Sequence, residues 1–179
     1  KLTNKQSSSF EHNSPIIISK EPTTGKEMPC IRLPIQVSPQ IKLISLGEII
    51  FDEENYHTDK YIYPFGYQIE REYDSIANPT KKAVFRAKVK RGTNKPIFCV
   101  ECLDESGMVF EGTTPSQPWI EAYTEVENSK KEHHMQYKNI VNVNGLHNFG
   151  FTLLNVSYLI ERLDNANKCT NYINKKLYL

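Results

Sequence analysis

The middle of the chain alternates apolar and polar residues with a period of two. In residues 84–90, VFRAKVK, the apolar residues Phe85, Ala87 and Val89 alternate with the basic residues Arg86, Lys88 and Lys90. Residues 97–103, IFCVECL, and 108–112, MVFEG, follow across short polar turns. This pattern predicts an antiparallel meander of three strands. The side chains expected to face inward are Phe85, Ala87, Val89, Phe98, Val100 and Cys102.

Two further extended segments precede the meander. Residues 41–51, IKLISLGEIIF, are rich in β-branched residues and predict a strand with a bend or bulge at Gly47. Residues 60–73, KYIYPFGYQIEREY, predict a strand, a turn at residues 64–66 and a second strand.

After the meander the apolar period becomes helical. Ser116 is a favoured N-cap, and a helix is expected to run from there into the charged segment 127–134, ENSKKEHH. Its apolar side is predicted to comprise Trp119, Ile120, Tyr123 and Val126.

The last third of the chain predicts a strand, a second helix and a last strand. Residues 139–151, NIVNVNGLHNFGF, read as extended. Residues 153–163 predict a helix that is capped by Thr152, is ended by Asn165 or Asn167, and has Val156, Leu159, Ile160 and Leu163 on its apolar side. Residues 169–179 are expected to add a strand. The order predicts an α+β fold: an antiparallel β-sheet with two α-helices packed on it.

The ends of the chain differ from this module in composition. Residues 1–14 are polar and serine-rich, which predicts a disordered tail. Residues 15–40 contain short apolar runs broken by prolines, which exclude a helix and predict an extended arm. The folded module is therefore expected at residues 41–179.

The overall charge changes little in this picture. Lys and Arg total 22 and Asp and Glu total 21, so a net charge of +1 gives no overall attraction to nucleic acid or to an anionic membrane. No apolar run approaches the ~20 residues of a membrane span, and no membrane partner is expected.

Four cysteines invite a metal or redox interpretation. Cys99 and Cys102 form a C-x-x-C, but a zinc site of this kind needs a second pair of ligands, and Cys30 and Cys169 stand alone. In a strand, residues three apart point to opposite faces. We therefore expect structural thiols, with no metal and no cofactor.

The sequence gives little support for catalysis. His57 and Asp59 would share a face in an extended chain and could form an acid–base pair, although a structural hydrogen bond is the commoner role of such a histidine. An activated nucleophile, a phosphate-binding glycine loop and a metal-ligand set are all missing. We expect a protein that is not an enzyme.

A basic stripe is the most suggestive surface feature. Residues 81–95 contain seven Lys or Arg residues and no acid, with Arg86, Lys88 and Lys90 on one face of a strand and Arg91 in its turn. These four residues could bind DNA phosphates or an acidic partner segment. The alternative is a solvated face that is partly neutralised by Glu101.

Residues 61–67, YIYPFGY, hold four aromatic residues around a proline and a glycine. Such a run can stack ligands, or it can fill a small core, and the second role suits alternating tyrosines with hydroxyls at the edge of a core.

These aromatic segments resemble a known pair of motifs. Residues 45–75 resemble the motif called FYRN, and residues 109–126 with 145–172 resemble its partner, FYRC. The matching residues include Gly47, His57, Tyr61, Tyr63, Pro64, Gly66, Tyr67, Arg71, Tyr73, Gly112, Trp119, Gly145, Phe149, Gly150, Leu159, Ile160 and Tyr172.

The resemblance implies a fold and a function. Proteins with this pair are nuclear and chromatin-associated, and include mixed-lineage-leukaemia-type histone methyltransferases, jumonji-type demethylases and a small growth-factor-response regulator. It implies that FYRN (about residues 41–95) and FYRC (about 108–175) associate within the chain into one non-enzymatic module. That module would bind protein partners in a chromatin complex; a nucleic-acid-binding module that uses the basic stripe is the alternative.

Overall fold

The computed structural model describes residues 31–173, which form an α+β fold. One antiparallel sheet carries the helices on one face, as the sequence predicts. The strands are β1 (Ile35–Ser38), β2 (Ile41–Ser45), β3 (Gln68–Asp74), β4 (Lys82–Arg91), β5 (Pro96–Cys102) and β6 (Val109–Gly112); the helices are α1 (Ser116–Glu132), α2 (Gly145–Asn148) and α3 (Leu154–Ile160). Short 3₁₀ turns lie at Glu54–Tyr56 and Ala166–Lys168.

The six strands are ordered β1-β2-β3-β4-β5-β6. Strand β4 is the longest, and its register pairs Phe85 with Cys102 and Val89 with Phe98. The predicted inward residues of β4 and β5 are all buried, which confirms the alternation. Each strand pairs antiparallel with its neighbour in sequence, including β2 with β3, which residues 46–67 separate.

Helix α1 covers the inner face of the sheet with Trp119, Ala122 and Val126, all fully buried. The prediction that Ile120 shares this face is wrong, since 39% of it is exposed. Residues at positions i, i+3 and i+7 line one side of a helix, and Ile120 lies about 100° around the axis from Trp119.

No described helix is long and apolar enough to cross a bilayer.

Both predicted helix caps are wrong. Ser116 is the first residue of α1, and its hydroxyl donates to the Val143 carbonyl at 3.0 Å and accepts from the Gly145 amide at 3.1 Å. Thr152 contacts the His147 ring, and neither it nor another side chain caps α3. Both hydroxyls therefore contact α2 or the residue before it; the Ser116 contacts are distant in sequence, whereas Thr152 and His147 are five residues apart.

The predicted strand at residues 139–151 is also wrong. Residues 139–144 belong to no strand, and α2 follows, with the Asn144 side chain accepting from the His147 amide at 3.0 Å. A Cβ on Gly145 would lie 2.2 Å from the Pro115 carbonyl oxygen, so only glycine allows α2 to meet the start of α1. Side-chain caps and close packing replace the sheet ladder here.

Helix α1 ends at Glu132, inside the charged segment where its end is predicted, whereas α3 is shorter than predicted. Near the end of α1, Lys130 pairs with Glu127 one turn earlier and with Asp74 on the sheet, both at 2.8 Å. Helix α3 ends at Ile160, before the predicted end, and Asn165 takes the left-handed conformation at φ 69°.

Only parts of the predicted strands at residues 41–51 and 60–73 form. Strand β2 ends at Ser45 and β3 begins at Gln68. Between them, single bridges join Glu48 to Phe65 and His57 to Ile62. Gly47 and Gly66, at φ 72° and 80°, turn the chain out of the extended conformation.

The predicted terminal features lie largely outside the described residues. The tail at 1–14 and most of the arm at 15–40 are outside them, although residues 35–38 of the arm form the edge strand β1. No strand forms at residues 169–173, where the Ile173 amide donates to the Asp59 carbonyl at 3.0 Å. Residues 174–179 of the predicted last strand are not described.

Asp104 organises the turn between β5 and β6. Its carboxylate accepts from the Ser75 hydroxyl at 2.6 Å, from the Ala77 amide at 3.0 Å and from the amide and hydroxyl of Ser106. Burial raises the pKa of this carboxyl, but these hydrogen bonds outweigh it and hold the pKa well below its usual range. The ionised form is therefore favoured in the folded chain.

Asp104→Asn should lower stability in a pH-dependent way. Because the folded pKa is depressed, the stabilisation is present above the unfolded pKa of about 4 and is lost as the pH falls towards the folded value. We expect a loss of about 1–3 kcal/mol near neutral pH that shrinks below about pH 4. Denaturant unfolding of chain and variant across this range measures it. The exposed neighbour Glu105 gives the control, Glu105→Gln; equal losses for both variants would contradict the prediction.

Candidate interaction site

Aromatic rings form a continuous seam between the first half of the chain, β1 to β4, and the second half, β5 to α3. The rings of this aromatic seam belong to Tyr63, Tyr67, Tyr73, Phe85, Phe98, Trp119, Tyr123, Phe149 and Phe151. Contacts across the halves include Tyr67 on Phe151, with centroids 4.6 Å apart, and Tyr73 on Tyr123, at 4.5 Å. Phe85 meets Trp119 at 6.2 Å. These separations suit stacked and edge-to-face packing, so the seam holds the halves together.

One buried hydrogen bond fixes the register of the seam. The Tyr67 hydroxyl donates to the Phe149 carbonyl at 2.7 Å, and Tyr67 is fully buried. Burial raises the pKa of this phenol well above its usual range, so it stays a donor. The residue after Phe149, Gly150, has a φ of 82°, a conformation that favours glycine. A Cβ added there would lie 3.4 Å from the Tyr67 hydroxyl oxygen.

The segment YIYPFGY serves the core more than the surface. Tyr63 and Tyr67 are buried, whereas Tyr61 is half-buried and Phe65 is 36% exposed. Pro64 and Gly66 shape its turn: the Tyr67 amide donates to the Pro64 carbonyl, and a Cβ on Gly47 would lie 2.2 Å from the Phe65 carbonyl oxygen. Burial raises the pKa of Tyr63 to about 12.

The basic stripe forms a ladder of ion pairs on the outer face of the sheet. Arg86 pairs with Glu70 at 2.6 Å, Lys88 with Glu101 at 3.2 Å and Lys90 with Glu111 at 2.6 Å. Arg91 pairs with Glu53. Every strand position that carries a predicted partner-binding cation therefore also has an acid beside it, which cancels much of the local field.

The candidate acid–base and metal residues do not converge. His57 is buried, and its Nε2 lies 3.4 Å from the Phe51 carbonyl oxygen, whereas Asp59 is exposed. Cys99 faces outward opposite Lys88, and Cys102 faces inward opposite Phe85, as the sequence predicts. Burial raises the pKa of the Cys102 thiol to about 11, and also raises that of Cys99, so both stay protonated.

Arg71 extends from the inner face of β3 towards the second half of the chain. Its Nη1 donates to Asn148 Oδ1 at 2.6 Å and its Nη2 to Gln40 Oε1 at 3.3 Å. Its Cζ lies 5.5 Å from the centroid of the Trp119 ring. The guanidinium thus joins β3, α1 and α2 through neutral groups.

The remaining motif residues support the helices. Leu159 and Ile160 are buried residues of α3, and the Tyr172 hydroxyl donates to Glu161 Oε1 at 2.5 Å. Gly112 leaves room for Gln117, whose Cβ would lie 2.6 Å from an added Cβ.

Sequence reasoning missed Lys130, Asp104 and Asn148 as linking residues. A sequence signal exists for Lys130, since Glu127 stands three residues earlier. For Asn148 there is none, because its partner Arg71 is distant in the chain.

Two protein-family models match the chain, one on each side of the aromatic seam. The profile described as "F/Y-rich N-terminus", FYRN, matches residues 32–92, and that described as "F/Y rich C-terminus", FYRC, matches residues 95–178. The first match supplies β1 to β4, and the second supplies β5, β6 and the three helices. The chain belongs to the family of proteins that carry paired FYRN and FYRC motifs, and the seam is where the two motifs meet.

Relatives of this chain are much longer proteins. It is 27% identical to histone-lysine N-methyltransferase TRX1 of Oryza sativa subsp. japonica, over 78% of this chain and 14% of the rice protein. It is 25% identical to histone-lysine N-methyltransferase trr of Drosophila melanogaster, over 72% and 6% respectively. With transforming growth factor beta regulator 1 of Homo sapiens it shares 27% identity over 74% of the chain and 31% of that protein. The chain thus spans less than a third of each of these relatives.

Proposed function

We propose that this chain is a non-enzymatic protein-interaction module of a nuclear, chromatin-associated regulator. The observation that carries the proposal is the aromatic seam, which joins the two motifs into one body. Relatives with these motifs include histone-lysine N-methyltransferases, of which this chain matches only a small part. The side chains that suggested chemistry have structural surroundings instead: His57 is buried and the cysteines face apart.

Affinity capture from nuclear extract tests the proposal. The full chain, immobilised and compared with an unrelated domain of equal size, should retain chromatin-regulating proteins that mass spectrometry identifies. Trp119→Ala, which opens the seam, should release them, and the exposed neighbour variant Ile120→Ala should keep them. Capture of the same proteins by the unrelated domain, or of none, would reject the proposal.

Nucleic-acid binding through Arg86, Lys88, Lys90 and Arg91 is the second candidate function. It is favoured by the alignment of these cations on one exposed face, and weakened by their pairing with acids. An ion pair already formed must be broken before a phosphate can take the cation, and this offsets the gain.

The double variant Lys88→Gln/Lys90→Gln separates the two candidates. We expect any affinity for a DNA duplex, and its salt dependence, to be unchanged, with stability altered by about 1 kcal/mol or less, since one pair is exposed and the other partly exposed. Fluorescence polarisation across a salt series measures the affinity. A variant that binds less tightly, with a salt slope shallower by about two phosphate contacts, would favour the second candidate.

A further inference from the structure

Strand β3 has a sheet neighbour on both sides for only part of its length. Strand β4 pairs with all of β3 as far as Asp74. Strand β2 pairs with residues 68–70 alone, its last pair being Lys42 with Glu70, because the chain turns away at residues 39–40. Residues 71–74 therefore have one open backbone edge.

The hydrogen bonds of β3 show which groups face this edge. The Val89 amide donates to the Tyr67 carbonyl, and the Ser75 amide donates to the Lys81 carbonyl, both at 3.0 Å. Odd-numbered residues of this strand thus bond to β4, and even-numbered residues direct their amide and carbonyl the other way. Those of Glu72 and Asp74 point to the side that β2 leaves empty. Within residues 31–173, no loop or side chain hydrogen-bonds to these backbone groups.

A surface cavity of about 750 Å³ lies beside the open edge. Its lining includes Pro39 and Gln40 from the turn, Arg71, Glu72 and Tyr73 from β3, and Val84 from β4. We call this cavity and the edge of residues 71–74 the β3 notch. Its backbone donors and acceptors, in a mostly polar lining with Pro39, Tyr73 and Val84 as apolar or aromatic contacts, match what an extended peptide needs.

Arg71 gives the β3 notch a charge preference. The ladder cations on the outer face each have a carboxylate partner, whereas Arg71 has two amide oxygens and the face of Trp119. Its Nε is buried and has no hydrogen-bond partner among the described residues. A carboxylate that approached from the cavity would accept charge-assisted hydrogen bonds, and a planar guanidinium suits it best. Of the other charged residues that line the cavity, Lys82 pairs with Asp74 and Glu70 with Arg86, which leaves Lys42 and Glu72 to offset each other and Arg71 as the remaining charge.

We propose that the β3 notch binds an extended, acidic segment of a partner protein. The segment adds a short strand along the amide and carbonyl groups of Glu72 and Asp74, and one of its carboxylates meets Arg71. Because side chains alternate between faces, the residue next to that acid lies beside Glu72 and should be basic or neutral. This proposal rests on the proposed function and names the chemistry of the partner.

Selection of phage-displayed random octapeptides on the full chain tests this proposal. Enriched peptides should carry Asp or Glu at one fixed position, with no second acid next to it. Arg71→Gln should abolish the enrichment. Arg86→Gln, which removes an arginine of the outer ladder, is the matched control and should leave it unchanged.

Two further measurements keep the test decisive if Arg71→Gln unfolds the chain. Replacing the acid of an enriched peptide by its amide should raise the dissociation constant at least about tenfold, the loss of a charge-assisted hydrogen bond. Glu72→Pro removes the edge amide while leaving the bonds to β4, and should also abolish binding.

The outcomes separate this proposal from the general one. No enrichment, enrichment without an acid, or binding that survives Glu72→Pro would overturn the β3 notch. If folded Arg71→Gln protein still captures the same chromatin proteins from nuclear extract, the notch fails while the interaction function stands. If the peptides bind but no chromatin protein is captured, the proposed function fails and the notch stands.

Discussion

Severing the chain between Thr93 and Asn94 should leave two fragments that fold only together. The cut opens the turn between β4 and β5, where the two family matches meet. It places these two paired strands, which share seven residue pairs, on different fragments. Each fragment alone would expose its side of the aromatic seam at ~25 cal/mol per Å² of apolar surface. A piece of about 90 residues can rarely absorb such a loss. Co-expressed fragments should instead form a stable one-to-one complex.

Size-exclusion chromatography and circular dichroism of each fragment, alone and together, measure this result. The uncut chain is the control for the native spectrum. Fragments that unfold cooperatively on their own and elute separately when mixed would show two independent domains and would contradict the single module.

Trp119→Ala should cost about 3–5 kcal/mol of unfolding free energy. The indole is fully buried, packs against Phe85 across the seam and against Phe149 in its own half, and lies under the Arg71 guanidinium. Its Nε1 has no hydrogen-bond partner in the described part of the chain, so the loss comes from the cavity and the lost packing. Denaturant unfolding at equilibrium gives the difference.

Ile120→Ala is the matched control for this substitution. It stands one position further along α1 with 39% of its surface exposed, and should cost about 1 kcal/mol or less. Similar losses for both variants would mean that α1 does not pack through Trp119 as the structure shows.

The strands of the meander could be predicted because their sequence carries the answer locally. Alternation in β4 and β5 assigns each side chain to a face, and the structure buries the predicted set. The opposite orientations of Cys99 and Cys102 follow from the same period of two. The FYRN and FYRC resemblance is also confirmed, since its aromatic positions are specific.

Local pattern did not predict residues 139–151 correctly, whereas the helix expected at residues 153–163 forms as α3. Residues 139–151 alternate like a strand, yet Ser116 and Asn144 bind its backbone and Gly145 packs on the start of α1. Ser116 and Pro115 are distant in sequence, so a window of neighbouring residues does not contain them, whereas the Asn144 cap is a local contact. Thr152 contacts His147, five residues earlier, and no side chain caps α3.

Part of the candidate site could likewise be predicted from the sequence, and part could not. The sequence singled out the cations of β4, because they lie close together in the chain. It did not show their partners Glu53, Glu70 and Glu111, which three other segments supply. Nor did it show that Arg71 lacks a carboxylate and lies beside an open strand edge.

By itself, then, the sequence determined the α+β class, the faces of the central strands and the family of this protein. Each of these depends on residue spacing within short segments, where steric rules leave few choices. The tertiary structure alone decided which rings form the seam, which cations are neutralised and where β3 loses its neighbour. These features arise from groups distant in sequence that come together only when the two motifs close on one core.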